Sequence, residues 1–189
     1  LLTNMLAEVF KSIDSIIDDQ WVVFGAVAAN LYRAEERTSF DVDVLVSIPS
    51  DKFQHIIERA QASGWQTTHT QSDWLLRFKH ETLGGLDIIR VEDEYQKQAV
   101  LRARVTEFEG RTVHVLAPED VIIHKMIADR SQDEADVVSI LRAEHPLDWE
   151  LIHTHVREWK LEEVLSRIEK RYQDIYESPV PVITASKLA

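Results

Sequence analysis

The stretch from Trp21 to Val46, WVVFGAVAANLYRAEERTSFDVDVLV, constrains the fold more than any other part of this chain. An apolar run leads through a glycine turn at Gly25 and a short helix over Val27 to Tyr32, then into a second apolar strand carrying Asp41 and Asp43. Side chains alternate along a strand, so residues two apart share a face. At a rise of about 3.3 Å per residue the two carboxylates stand roughly 6 to 7 Å apart on one side. Val42, Val44 and Val46 then point the other way, into a core. Two like charges on a strand built for burial repel each other and lose hydration, a cost that a bound cation offsets most directly. A glycine turn presenting backbone amides at a helix start is also a generic seat for phosphate, although Gly25 read alone is first a tight-turn residue.

With 189 residues, 44% of them hydrophobic and 29% charged, the chain can build one domain, or one domain with a small helical lobe. No apolar run approaches the about 18 residues needed to cross a bilayer, and nothing resembles a secretory leader, so a cytoplasmic location is expected. The lack of Cys removes disulfides and thiolate metal sites and leaves oxygen and imidazole ligands. A formal charge of −12 argues against general nucleic-acid binding, which needs a concentrated basic surface, but is compatible with a local pocket for one nucleotide. Acidic excess is also an ordinary device for solubility.

Taken in order, Leu1 to Asp19 has helical periodicity and packs as a helix. Trp21 to Phe24 reads as a buried strand and Phe40 to Ile48 as the carboxylate strand. Asp51 to Ser63 is a helix closed by Gly64. Strands follow over Trp65 to Thr70, Trp74 to Lys79 and Leu86 to Val91, the last two separated by a turn containing Gly84 and Gly85. In the third of these, Asp87 interrupts an apolar strand, which costs several kcal/mol unless the carboxylate is paired, solvated or bound to metal. Glu94 to Arg102 is a short helix, and Glu109-Gly110 joins Val105 to Phe108 with Thr112 to Leu116 as a hairpin. Pro118 opens the helix PEDVIIHKMIADR, expected to turn Val121, Ile122, Met126 and Ile127 inward and Lys125 with Arg130 outward. Asp133 to Ala143 is the next helix, with Asp133 and Asp136 on neighbouring positions of one face. Asp148 to Glu158 and Leu161 to Tyr176 are the last helices, before a loose tail from Ser178.

Together VFGAVAA, RTSFDVDVLV, LDIIR and APEDVIIHKMIADRSQDEADVVSIL resemble the nucleotidyltransferases of the DNA polymerase beta superfamily, most of all their minimal, abortive-infection toxin-like branch. The resemblance covers roughly Trp21 to Leu141 and implies an α+β fold, a mixed twisted sheet flanked by helices and followed by a helical part. The expected limits are a catalytic core over 1–116, C-terminal helices over 117–177 and a tail over 178–189. By resemblance, Asp41 and Asp43 are the paired metal-binding aspartates. Asp87 is the third acid, which contacts a metal and helps deprotonate the acceptor hydroxyl. Gly25 and Ala26 form the phosphate-facing turn, and Lys125, Arg130, Asp133 and Asp136 lie near the nucleotide. The implied cofactor is Mg²⁺ (or Mn²⁺), since three carboxylates suit a hard cation. The implied partners are an NTP, a hydroxyl acceptor on a protein, a tRNA end or a small molecule, and, in the toxin-like branch, an antitoxin protein.

The family often has Gly-Gly or Gly-Ser where this chain has Gly25-Ala26. That departure motivates an alternative: an inactive member of the fold that binds a nucleotide or a protein partner. A third reading is an interaction module using the C-terminal helices. Each residue also has a plain structural role open to it. Lys125 and Arg130 read equally as an exposed helix face, Asp133 and Asp136 as partners of Arg130 or Arg142, and Arg37 and Arg77 as charge balance for nearby acids. The eight histidines form no HExxH or other metal pattern, and no P-loop or Gly-x-Ser-x-Gly elbow is present.

Overall fold

The computed structural model describes residues 2–35, 37–39, 41–69 and 72–183. Its backbone divides into two compact units, one made of Leu1–Val27 with Thr38–Leu116, the other of Ala28–Arg37 with Ala117–Ala189.

In the first unit, helix α1 (Leu2–Ile16) buries Leu6, Val9, Phe10, Ile13 and Ile16, the three-and-four spacing of one helical face. The other elements are β1 (Trp21–Phe24), the start of α2 (Gly25–Asn30), β2 (Asp41–Val46), a 3-10 turn (Ser50–Lys52) and α3 (Phe53–Ala62). There follow β3 (Gln66–His69), β4 (Leu75–His80), β5 (Gly84–Arg90), α4 (Glu94–Leu101), β6 (Arg104–Phe108) and β7 (Arg111–Val115). Phe40 and Thr70, placed in strands by the sequence, lie outside the described residues.

The seven strands form one mixed sheet in the order β3-β4-β5-β2-β1-β7-β6. The pairs β2/β5 and β1/β7 are parallel and the rest antiparallel. Val42, Val44 and Val46 are all buried, as period-two alternation requires. The expected turn at Gly84 and Gly85 is instead the start of β5, and the reversal falls on residues 81–83. Gly85 is drawn into the ladder because it pairs with Asp41 across β2. The β6–β7 hairpin turns on Glu109 (φ 50°) and Gly110 (φ 73°), the two positive values that a two-residue primed turn demands.

In the second unit four helices follow the sheet: α5 (Pro118–Ala128), α6 (Ser131–Arg142), α7 (Trp149–Glu158) and α8 (Glu162–Tyr176). The outward and inward faces of α5 differ from the expectation. Lys125 is buried at 6% exposure, whereas Ile127, expected inside, is 51% exposed. Nearly the whole of α5 up to Met126 is buried, so its apolar residues define no single stripe. The stripe on α8 holds at Val164, Leu165, Ile168 and Tyr172 but not at Ile175, which is exposed. No helix among the described residues is long and apolar enough to cross a membrane.

Candidate active site

The three strand carboxylates lie on one face of the sheet. β2 and β5 run parallel in a register that sets Asp43 opposite Asp87 and Asp41 opposite Gly85. Register partners on neighbouring strands share a face at a spacing of about 4.8 Å. Asp43 and Asp87 are therefore side by side, with Asp41 two residues along. β4 continues the row on the far side of β5, with Arg77 opposite Asp87.

Arg77 pairs with one acid of this row. Its Nε donates to Asp87 Oδ1 (2.9 Å) and Oδ2 (3.0 Å), and its Nη2 donates to Oδ2 (2.7 Å). The Asp87 side chain is 20% exposed and that of Arg77 54%. Hydrogen bonds to Asp87 and the charge of Asp87 hold the guanidinium above its ordinary value, and the charges of Asp43 and Asp41 add to the shift. Asp87 is thus paired, one of the three outcomes open to an acid in an apolar strand, and Arg77 supplies the charge balance expected of it.

Two glycines make room for the other carboxylates. Gly25 stands at φ +67° where β1 passes into α2, and a Cβ there would overlap Asp43 Oδ2 and come to 2.8 Å from its Cγ. A Cβ on Gly85 would come to 3.0 Å from Asp41 Cγ, and the Gly85 N–H donates to Asp41 Oδ1 (3.1 Å). Gly25 is therefore required twice, by its backbone angle and by the carboxylate packed against it. Ala26 follows it in α2, with no hydroxyl to offer.

A divalent ion fits this donor set by chemistry: hard carboxylate oxygens on adjacent strands, in a cradle that two Cβ atoms would fill. Among the described residues no three side chains of His, Cys, Asp or Glu already converge as a cage. Both Asp87 oxygens face Arg77, and Asp41 Oδ1 faces a backbone amide. A cleft of about 530 Å³ in the same unit lies at the opposite end of β1, lined by Asp14, Asp18, Asp19, Trp21 and His114. Its acids Asp14, Asp18 and Asp19 are paired with Arg111, Arg59 and Lys52.

In the second unit, Lys125, Arg130, Asp133 and Asp136 come together as a buried ionic network. Lys125 Nζ bridges Asp133 Oδ1 (2.7 Å) and Asp136 Oδ2 (2.8 Å), and both carboxylates are 1% exposed. Arg130 Nε reaches Asp133 Oδ2 (2.5 Å) from a side chain that is 74% exposed. Asp136 also holds Arg33 (2.6 Å) and Arg37 (3.4 Å). Arg142, weighed as a partner for these acids, pairs with Glu144 instead. Arg33 carries no sequence signal: nothing in its spacing relates it to an acid about a hundred residues away. Asn30 fixes the loop that delivers both arginines, accepting from Arg37 N (3.1 Å) and donating to Arg37 O (2.5 Å). Burial would push the Asp133 carboxyl up, but hydrogen bonds and charge from Arg130 and Lys125 outweigh it and hold the group below its ordinary 3.8. Four cations thus surround two carboxylates, a local positive excess in a chain of net charge −12.

A family model described as "Nucleotidyltransferase of unknown function (DUF6036)" matches residues 4–178. No curated protein matches by sequence. Among solved structures, an antigenic nucleotidyltransferase-like protein from Paracoccidioides brasiliensis superposes with a TM-score of 0.67 at 15% identity, over 99% of this chain and 95% of that one. The lincosamide antibiotic adenylyltransferase LnuA, solved with lincomycin bound, gives 0.58 at 14% identity over 72% and 94%. The antibiotic-resistance factor ANT(2'')-Ia gives 0.52 at 16% identity over 93% and 95%. At these identities the likeness is one of fold, the α+β mixed sheet with flanking helices.

Proposed function

The chain belongs to the DUF6036 family of nucleotidyltransferases, and from that premise we propose that it moves a nucleoside monophosphate from an NTP to a hydroxyl acceptor, releasing pyrophosphate. The observation that carries the proposal is the register that sets Asp43 beside Asp87, with Asp41 on the same face, next to two glycines that keep the space for them.

Asp41, Asp43 and Asp87 would hold Mg²⁺ (or Mn²⁺), which when bound would neutralise the triphosphate and the charge on the attacking and leaving oxygens. Asp87 would take the proton of the acceptor hydroxyl, the role that the resemblance implies for the third acid. Gly25 and Ala26 would present the β1–α2 turn to phosphate. Of Lys125, Arg130, Asp133 and Asp136, the four that the resemblance assigns to nucleotide binding, only Arg130 carries an exposed charge, so it is the member proposed to meet an anion. The acceptor hydroxyl belongs to a small molecule, a protein side chain or a tRNA end. The lincomycin in the LnuA structure makes a small molecule the first to try, and the net charge of −12 makes tRNA the last. A toxin role with a protein antitoxin is the further proposal that the sequence resemblance supports.

One observation favours a second reading, an inactive fold that binds a nucleotide or a protein. With Arg77 paired to it, Asp87 is stable without metal and without chemistry. Calorimetric titration of each NTP with Mg²⁺ into the wild type and into Asp41→Asn/Asp43→Asn separates the two. Metal-dependent binding lost in the folded variant, followed by transfer of label from NTP to an acceptor, supports catalysis. NTP binding indifferent to both substitutions and to Mg²⁺ supports the inactive reading.

A further inference from the structure

We propose that Arg77 is an internal competitor of the metal: its guanidinium holds the Asp87 carboxylate until a divalent cation displaces it. The inference rests on the metal-site reading above and adds a competitor to it.

A guanidinium–carboxylate fork is the strongest hydrogen-bonded form of this ion pair, because two donors in one plane meet two oxygens in one plane. Here three contacts of 2.7 to 3.0 Å use both oxygens of Asp87. An ion sharing that carboxylate would lie within a few ångströms of the guanidinium, where like charges repel. Among the described residues Asp41 is in no such fork, and its Oδ1 accepts a neutral backbone amide. The difference between the carboxylates is built into the sheet, since β4 delivers an arginine opposite Asp87 and a lysine, Lys79, opposite Gly85 in the row of Asp41. Release of the fork needs no backbone movement. Arg77 is more than half exposed, and its side chain can rotate into water while β4 and β5 keep their register.

Mn²⁺ binding, followed by the spin-resonance signal of the free ion, tests this in the wild type, Arg77→Gln, Asp87→Asn and the double variant, each checked for fold by circular dichroism. The expected result is that Arg77→Gln tightens Mn²⁺ binding by about tenfold or more and that the gain disappears in Arg77→Gln/Asp87→Asn, measured against Asp87→Asn alone. Wild-type binding that Arg77→Gln leaves unchanged or weakens would overturn the competition while sparing the metal site. Absence of Mn²⁺ binding in every folded variant would overturn both. Should Arg77→Gln not fold, the wild type answers alone: saturating Mg²⁺ is expected to strip the Arg77 Nε–H of its protection from solvent exchange, and protection unchanged with Mg²⁺ bound would sink the proposal.

Discussion

Gly25 shows how one residue can be fixed by two independent demands. Its φ of +67° excludes most side chains, and the Asp43 carboxylate occupies the place of a Cβ. Gly110 offers a control within the same molecule: its φ is +73°, but a Cβ there meets nothing within 4 Å. Gly110→Ala is therefore expected to cost only the backbone penalty of about 1 kcal/mol. Gly25→Ala should cost more than that by urea denaturation, and it alone should weaken Mn²⁺ binding because Asp43 must shift. Asp43→Ala is expected to abolish nucleotidyl transfer and leave the fold intact, since it removes a charge from an acidic row; full activity in that variant would refute the site. Gly25 and the aspartate pair were legible because turn chemistry and strand alternation are local. That Arg77 balances a nearby acid was legible, but not that the acid is Asp87. Its apolar neighbours pointed to an acid in need of a partner, but which partner depends on β4 lying next to β5.

Among the elements, α5 departs furthest from its sequence pattern. A lysine in a helix beginning with Pro, Glu and Asp reads as a solvent-facing cation, yet Lys125 lies buried between Asp133 and Asp136 of α6. The helix pair joins through a sharp break at Asp129, whose left-handed φ of 47° ends α5 and lets α6 begin at Ser131. That geometry sets two carboxylates against one ammonium. Removing one partner of a buried pair typically costs about 3 to 5 kcal/mol, because the remaining charges stay desolvated. Lys125→Met should fall near the lower end, about 3 kcal/mol in chemical denaturation, since Arg130 and Arg33 still hold the two aspartates. A change under about 1 kcal/mol would mean the network is hydrated and contributes little. The acids were rightly read as sharing a face of α6, which helical spacing alone dictates. That Ile127 rather than Lys125 faces outward follows from α5 being covered along most of its length.

For the whole molecule, the ion pairs make a prediction about pH. The Asp133 carboxyl sits below its ordinary value in the folded state, so its contribution to stability is present above about pH 4 and is lost as pH falls through the folded-state value. Wild-type thermal midpoints should therefore drop as pH is lowered from about 5 toward 3. Asp133→Asn, less stable at neutral pH, should show a shallower acid decline. An identical decline would assign acid lability to other members of the 33 acidic residues.

The sequence by itself determined the strands and helices, the face shared by Asp41 and Asp43, the β6–β7 turn and the general fold, because each follows from a repeat of two or 3.6 residues or from a required backbone angle. The tertiary structure decided which charges meet. Strand order set Arg77 against Asp87, and the break at Asp129 brought Lys125 to Asp133 and Asp136. The Asn30-braced loop carried Arg33 and Arg37 to the same acids. Arg33 and Arg37 reach Asp136 from about a hundred residues away, beyond any local pattern, whereas the other pairings join neighbouring elements whose register and break angle settle which charges meet.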